Sequence, residues 1–212
     1  PARQEGSTMT GCICLASASP RRKALLRQIG VPFWVQAVDL DESVQPGEAP
    51  LPLVKRLALA KAHTARNEIR ENASEVAPVL AADTIVVAGQ KILGKPRSRS
   101  EAISMLTRLS GCSHQVVTGI ALLTDRGTQA EAVVSTVTFA TLASHQIEAY
   151  CDTGEPFGKA GAYAIQGIGA SFVRYISGSY SGIVGLPLYE TCSLLRRSGL
   201  ICSVWSQEGQ DE

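Results

Sequence analysis

The order of apolar patterns along the chain constrains its fold more than any other feature, because short apolar runs alternate with stretches of helical periodicity. The run from Cys12 to Ala16 is the first short strand. Ser19 and Pro20 follow it as a helix cap and a first-turn proline, and Gly30 marks the end of that helix. This alternation predicts an α/β protein with helices beside a central sheet.

The later elements follow the same order except in one glycine-rich segment. Thr153 to Gly185 holds eight of the 19 glycines, which indicates tight turns or closely approached backbone. Ser98 and Glu101 have the spacing of a capping box at a helix start. The remaining predictions are strands at 33–38, 79–87, 92–93, 115–123 and 131–141, and helices at 51–71, 98–111, from 144 and at 187–197.

Length and charge limit the possible functions. The 212 residues suit one domain, or one domain with two lobes, and 45% of them are hydrophobic. A net charge of +1 gives no bulk attraction for nucleic acid polymers or anionic membranes, so any anion must be recognised locally. No apolar run approaches the roughly 18 residues that a membrane-spanning helix needs.

The chain ends and the cysteines complete this outline. Residues 1–10 are interpreted as an N-terminal extension or tag remnant, 11–205 as a single two-lobed domain, and 206–212 as a flexible tail. The six cysteines, such as Cys12 and Cys14, are predicted to be buried thiols in a reducing compartment, the cytoplasm. A metal site at Cys12 and Cys14 is the less favoured alternative, because no second cysteine pair or nearby histidine accompanies them.

Ser17, Ser19, Arg21 and Arg22 gather at the start of the first helix, directly after the first strand. Free backbone amides at a helix start attract anions, and arginine offers forked donors that match phosphate oxygens. This segment is therefore a candidate phosphate cradle. The alternative is a helix cap followed by two solvated arginines, and the segment alone does not decide between them.

Asp83 interrupts the most apolar strand and is followed by Thr84. A carboxylate in such a strand is costly to bury unless it is paired or bound to a cation, and no residue close in sequence offers a pair. Coordination of Mg²⁺ or activation of a water molecule would explain its position. The alternative is an aspartate at a strand end that accepts hydrogen bonds from backbone amides.

Several other polar residues are weaker candidates, since each alone is more often a solvated side chain. Lys95 is the best of the lysines, because it lies in a turn between Gly94 and Pro96. Lys61 lies within the long helix, and Glu42 follows the second strand as a candidate metal ligand. Gln166 lies in the glycine-rich segment, where its amide can both donate to and accept from the edge of a nucleobase.

Several motifs, taken in order, resemble the Maf family of nucleotide pyrophosphatases over nearly the whole span from Ile13 to Leu195. A set of motifs in the same order is more specific than any one of them. The run that begins at Lys159 and continues to Thr191 resembles the subgroup that acts on dTTP and UTP. The other matching segments are Leu15-Ala16-Ser17-Ala18-Ser19-Pro20-Arg21-Arg22, Ala82-Asp83-Thr84, Ile92-Leu93-Gly94-Lys95-Pro96 and Leu109-Ser110-Gly111.

The resemblance implies a mixed central sheet flanked by helices, in two lobes with a cleft between them, similar in shape to inosine-triphosphate pyrophosphatases. It also implies dependence on a divalent metal cation, Mg²⁺ or Mn²⁺, and a homodimer. By position in the motifs, the implied catalytic residues are Asp83, Lys95 and Lys61, the substrate-binding residues are Ser17, Arg21, Arg22, Thr84 and Gln166, and the metal ligands are Glu42 and Asp83.

The activity expected from this resemblance is hydrolysis of dTTP and UTP, and of modified pyrimidine nucleotides, to the monophosphate and pyrophosphate. Two alternatives stay open. One is the same class of enzyme with a different base preference, such as 7-methyl-GTP. The other is a non-enzymatic regulator of cell division and septum formation that senses nucleotides without hydrolysing them.

Overall fold

A computed structural model of the chain describes residues 12–72 and 77–200. The predicted N-terminal extension at 1–10 and tail at 206–212 lie outside the described residues. Within them, no helix is long and apolar enough to cross a membrane.

One sheet organises the structure, with strands in the order β2-β1-β3-β5-β6-β7 and β4 beside β3. β1 runs parallel to β2 and β3, and the other pairs are antiparallel, so the sheet is mixed. This confirms the expected α/β class with a mixed central sheet. The strands are β1 (Ile13–Leu15), β2 (Phe33–Val35), β3 (Val79–Ala88), β4 (Lys91–Leu93), β5 (Ser113–Thr124), β6 (Gly127–Phe139) and β7 (Val173–Ser177).

The helices begin close to where the sequence predicts them. Ser19 caps α1 by accepting from the backbone N–H of Arg22, as expected. Ser98 caps α3 in the same way, but the Glu101 carboxylate accepts from the backbone N–H of Arg97, so the predicted capping box is only half formed. The helices are α1 (Pro20–Gln28), α2 (Pro50–Asn72), α3 (Arg99–Leu109), α4 (Ser144–Asp152), α5 (Tyr180–Val184) and α6 (Leu188–Arg197).

The glycine-rich segment contains more regular structure than the sequence indicates. β7 and α5 both lie inside it, together with short 3-10 turns at Ala160–Ala162 and Ile168–Phe172. β7 is the outer strand beside β6, and its residues are exposed or half-buried, so it has no continuous apolar run to reveal it.

Helix α2 covers one face of the sheet at very short range. Its alanines Ala58, Ala62 and Ala65 are fully buried, and small side chains allow this close approach. Gly119 of β5 lies directly under the helix, where an added Cβ would come 2.4 Å from the carbonyl oxygen of Val54. The absence of a side chain at Gly119 is therefore what lets α2 sit against the sheet.

The opposite face carries two apolar clusters. One joins Leu80 of β3 and Leu122 of β5 to helices α1 and α6. The other joins Val86 and Val116, further along the same two strands, to helices α3 and α4. The pair Thr84 and Thr118 lies between these clusters in the ladder of β3 and β5, so polar side chains mark the boundary between two apolar regions.

The sheet is interrupted along one edge of β3. β1 pairs with that edge at Val79 and Leu80, and β4 pairs with it from Val86 to Ala88. Between these contacts, in the ladders of the described residues, Ala81 to Ile85 pair only with β5 on the other side. This gap in the sheet contains Asp83 and Thr84.

The cysteine prediction is correct in part. Cys14, Cys151 and Cys192 are buried thiols, and burial raises the pKa of Cys14 to about 11. Cys12 and Cys112 are exposed, which contradicts the prediction for them, since each lies outside the strand that follows it. Cys202 lies outside the described residues.

Candidate active site

The start of α1 brings the predicted phosphate-binding residues together. Arg22 is only partly exposed, and its guanidinium donates to the carbonyl oxygen of Gly185 at 2.8 Å, to Ser17 Oγ at 3.3 Å and to Thr84 Oγ1 at 3.1 Å. Burial lowers the pKa of Arg22, and the nearby negative charge of Asp83 opposes that shift. Arg22 is therefore a half-buried cation held by three hydrogen bonds, so it is not a solvated arginine.

Arg21 occupies a different environment on the same turn. Its side chain faces the same cleft, and burial lowers its pKa from the usual value. Arginine nevertheless stays charged at neutral pH, because its ordinary pKa lies far above neutrality. Arg21 thus supplies a second positive charge at the helix start, where the positive end of the helix dipole also favours an anion.

Two carboxylates and two lysines form a charged cluster on the α2 side of β3. Lys61 Nζ donates to Asp83 Oδ1 at 2.5 Å and to Glu42 Oε1 at 2.6 Å. Lys95 Nζ lies 3.2 Å from Glu42 Oε2. Asp83 therefore has a partner after all, but Lys61 precedes it by 22 residues and reaches it from a helix.

Electrostatics keeps Glu42 ionised in this cluster. Partial burial acts to raise its pKa, but the hydrogen bond and positive charge of Lys61, with a further contribution from Lys95, outweigh burial and leave the pKa below its usual value. A carboxylate with a lowered pKa is negatively charged at neutral pH and available to a cation.

The cleft of about 440 Å³ that these groups line is of a size that suits a small-molecule ligand. Residues from both sides of the gap in the sheet form its walls. All nine residues singled out from the sequence line it, namely Ser17, Arg21, Arg22, Glu42, Lys61, Asp83, Thr84, Lys95 and Gln166. Asp83 and Thr84 are sequence neighbours with different partners, since Asp83 bonds to α2 and Thr84 bonds to α1 and β5.

Glu155 organises the glycine-rich wall of the cleft, and sequence reasoning missed it. Its carboxylate accepts from the backbone N–H groups of Ile168 and Gly169, at 3.0 Å and 2.9 Å, and from the Tyr150 hydroxyl at 2.8 Å. The Tyr150 hydroxyl oxygen in turn accepts from the backbone N–H of Ala164 at 3.2 Å, so Glu155 and Tyr150 together hold both ends of the turn that carries Gln166. A lone carboxylate in a segment dense in glycine is the signal that would have indicated it.

His114 supports the same wall from within the core. Its Nε2 lies 2.9 Å from the hydroxyl of Tyr163, which lines the cleft, and its ring packs edge-on against Phe139 and Tyr163. Burial lowers the pKa of His114 to about 4, so the ring is neutral at neutral pH.

The donor set at the carboxylates fits a divalent cation. Glu42 and Asp83 converge on one cationic nitrogen, and hard oxygen ligands of this type suit Mg²⁺ or Mn²⁺. No group of three or more His, Cys, Asp or Glu side chains that could hold a metal occurs among the described residues. Mg²⁺ is commonly held by one or two carboxylates together with phosphate oxygens, so a pair is sufficient when a triphosphate is bound.

A mixed α/β fold with a cationic helix start and paired carboxylates facing one cleft has the features of proteins that bind phosphorylated small molecules. Comparison with known families then places it more narrowly. The chain belongs to the Maf family, because the family described as Maf-like protein matches residues 12–198.

Curated relatives match almost the whole chain. A protein of Pseudoalteromonas atlantica named dTTP/UTP pyrophosphatase is 50% identical over 191 residues, which are 89% of this chain and 97% of that protein. A protein of the same name from Colwellia psychrerythraea is 47% identical over 192 residues, which are 91% of each chain. Among solved structures, the Staphylococcus aureus Ham1 protein matches with a TM-score of 0.40 and 17% identity, over 60% of this chain and 71% of that one.

Proposed function

We propose that this protein is a pyrophosphatase that hydrolyses dTTP and UTP to the monophosphate and pyrophosphate. The observation that carries the proposal is that its relatives of that name match about nine-tenths of the chain at 47–50% identity. The cleft supports it, because cations for a triphosphate and carboxylates for a metal and a water molecule face the same space.

The triphosphate binds along the cationic side of the cleft in this proposal. Arg21 and Arg22 at the start of α1, with Ser17, hold phosphate oxygens, and Lys61 and Lys95 approach from the side of α2 and β4. Glu42 and Asp83 would hold the divalent cation, which would neutralise charge on the phosphates and polarise the α-phosphorus. Gln166 and Thr84 lie beside the base.

Asp83 performs the proton transfer. Its carboxylate takes a proton from a water molecule as the water oxygen bonds to the α-phosphorus. The bond from the α-phosphorus to the bridging oxygen breaks, and pyrophosphate leaves with the bonding electron pair. Lys61 orients Asp83 through its 2.5 Å hydrogen bond, while Arg21, Arg22 and Lys95 stabilise the negative charge on the leaving pyrophosphate.

The proposal also includes a compartment and an assembly. The cytoplasm, where nucleoside triphosphates are made and used, is the compartment in which we expect the enzyme to act. The predicted homodimer stays a prediction.

The decisive experiment identifies the products. The purified protein is incubated with Mg²⁺ and each of dTTP, UTP, CTP, 7-methyl-GTP and the common purine triphosphates in ¹⁸O-labelled water. We expect monophosphate and pyrophosphate from dTTP and UTP, with the label in the monophosphate because water attacks the α-phosphorus. Label in pyrophosphate would place the attack at the β-phosphorus and reject this mechanism.

Two variants separate Asp83 from the other acids of the protein. Asp83→Asn is expected to keep the fold and lose at least about a hundredfold in turnover, the smaller end of what a positioned base contributes. Asp152→Asn is the matched control, because Asp152 is an exposed acid paired with Arg99 on the surface. Tight nucleotide binding without turnover by the wild type would favour the nucleotide-sensing alternative, and preferential turnover of 7-methyl-GTP would favour the other base preference.

A further inference from the structure

A chain of hydrogen bonds runs from the cleft into the protein through two threonines. Arg22 Nη2 donates to Thr84 Oγ1 at 3.1 Å, and Thr84 Oγ1 lies 2.9 Å from Thr118 Oγ1. Thr118 Oγ1 in turn lies 2.8 Å from the carbonyl oxygen of Gly182. Thr84 faces the cleft, whereas Thr118 is only 1% exposed and does not line it.

The chemistry of its two ends fixes the direction of every bond in this chain. A guanidinium only donates, so Thr84 accepts from Arg22. A carbonyl only accepts, so Thr118 uses its single proton on Gly182. The bond between the two hydroxyls therefore has Thr84 as donor and Thr118 as acceptor. Thr84 has then used its proton and one lone pair, and a single lone pair remains for a ligand.

We propose that Thr118 is a positioning residue for base selection, which makes Thr84 an obligate hydrogen-bond acceptor toward the nucleobase. This inference rests on the proposed function, in which Thr84 lies beside the base. The inference adds the direction in which the Thr84 hydroxyl forms hydrogen bonds, and it identifies Thr118 as the buried residue that fixes this direction.

An obligate acceptor selects uracil and thymine by their one ring donor. The Watson–Crick edge of either base carries a single donor, N3–H, between two carbonyl acceptors. Cytosine has an acceptor at the same ring position, so its N3 would face the remaining lone pair of Thr84 with no proton between them. The carbonyl groups on either side of N3–H need donors, and the amide of Gln166 in the same cleft can supply one.

The position of Thr118 prevents the hydroxyls from reversing. Thr84 and Thr118 are directly opposed in the ladder of β3 and β5, between the two apolar clusters of that face. At 1% exposure Thr118 has no water to take its proton, and turning it away from Gly182 would leave a buried carbonyl without its donor. A ligand that requires a donor at Thr84 must therefore break one buried hydrogen bond, either Thr84 to Thr118 or Thr118 to Gly182.

The test compares the ratio of kcat/KM for CTP to kcat/KM for UTP in four proteins. They are the wild type, Thr118→Val, Thr118→Ser and Thr138→Val. Valine removes the acceptor that holds the proton of Thr84, so Thr84 becomes free to donate to cytosine N3. We expect the CTP to UTP ratio to rise about tenfold in Thr118→Val, within the range for leaving a buried polar group unpaired.

The other two variants identify the cause. Thr118→Ser keeps the hydroxyl and is expected to keep the wild-type ratio. Thr138→Val removes a hydroxyl from a cross-strand pair with Ser113 in the same sheet, away from the cleft, and should also keep it. Both values of kcat/KM are measured on the same preparation. A loss of folded protein lowers both equally and leaves their ratio unchanged, so a changed ratio reports a change in base selection.

The outcomes separate this role of Thr118, here called the relay, from the proposed function. A raised ratio in Thr118→Val alone supports the relay. If the wild type hydrolyses UTP and Thr118→Val keeps the wild-type ratio, or loses activity on both nucleotides equally, the relay is wrong and the proposed function stands. If the wild type hydrolyses neither dTTP nor UTP, the proposed function is wrong and the relay falls with it.

Discussion

Replacing Lys61 by methionine tests whether the buried ion pair, rather than positive charge in general, stabilises the candidate active site. The side chains of Lys61 and Asp83 are 10% and 9% exposed, so the bond between them is nearly out of water. Methionine fills a similar volume but leaves the Asp83 and Glu42 oxygens, both within 2.6 Å of the lost nitrogen, without their shared cation. Removing one partner of a buried pair costs about 3–5 kcal/mol.

Lys95 provides a matched control, because it bonds to the same glutamate from the solvent side. Its side chain is 59% exposed and lies 3.2 Å from Glu42 Oε2. Surface pairs of this kind contribute about 1 kcal/mol or less. In thermal unfolding without nucleotide or metal, Lys61→Met should lower the melting temperature by on the order of 10 °C and Lys95→Met by about 3 °C or less.

Two measurements can refute this reasoning. Equal melting temperatures for Lys61→Met and Lys95→Met would show that burial of the pair does not decide its contribution. Addition of Mg²⁺ should raise the melting temperature of Lys61→Met more than that of the wild type, because the carboxylates then lack a competing ammonium. If Mg²⁺ raises the melting temperatures of Lys61→Met and of the wild type by the same amount, that result would count against Glu42 and Asp83 as the metal ligands.

Three further outcomes follow from the geometry. Gly119→Ala places a Cβ 2.4 Å from the backbone of α2 and should cost about 1–3 kcal/mol in chemical denaturation, whereas Gly94→Ala, with nothing within 4 Å, should not. The pKa of His114 is about 4 in the folded protein and about 6.5 in the unfolded chain, so the unfolded chain binds more protons between these pH values. The free energy of unfolding should therefore fall by about 3 kcal/mol as the pH is lowered from 6.5 to 4. Over the same pH range, the melting temperature of His114→Gln should fall less steeply than that of the wild type. In Glu155→Gln, the new side-chain NH2 group would face one of the N–H or O–H groups that now donate to the carboxylate, and that hydrogen bond would be lost. KM for UTP should therefore rise about threefold or more with a smaller change in kcat. Equal changes in KM and kcat would contradict a role of Glu155 in positioning Gln166.

Local sequence patterns were sufficient for most of the fold. Caps and glycines gave the ends of α1, and the apolar run gave β3 almost to the residue. β2 stops at Val35 rather than Val38, because only three of its residues pair with β1. β7 and α5 were missed, since an outer strand of mostly exposed residues among glycines carries no periodic signal.

The candidate site was predictable in its chemistry but not in its contacts. An aspartate in an apolar strand indicated a buried partner or a cation, and the structure supplies Lys61 as the partner. That contact depends on how α2 lies across the sheet, which no pattern within either element specifies. Thr118 gave no signal at all, because a threonine in a strand is common and only the register with Thr84 gives it a partner.

The gap in the sheet gives the two edges of β3 different roles. On one edge β3 is paired with β5 without interruption from Val79 to Val87, so its backbone is secured independently of what occupies the cleft. On the other edge, Ala81 to Ile85 are free of β1 and β4, and the side chains of Asp83 and Thr84 line the cleft. If Thr84 lies beside the base as proposed, a change at Thr84 during evolution would alter the chosen nucleotide while the ladder of β3 and β5 stays intact, so one scaffold would give rise to enzymes of different specificity.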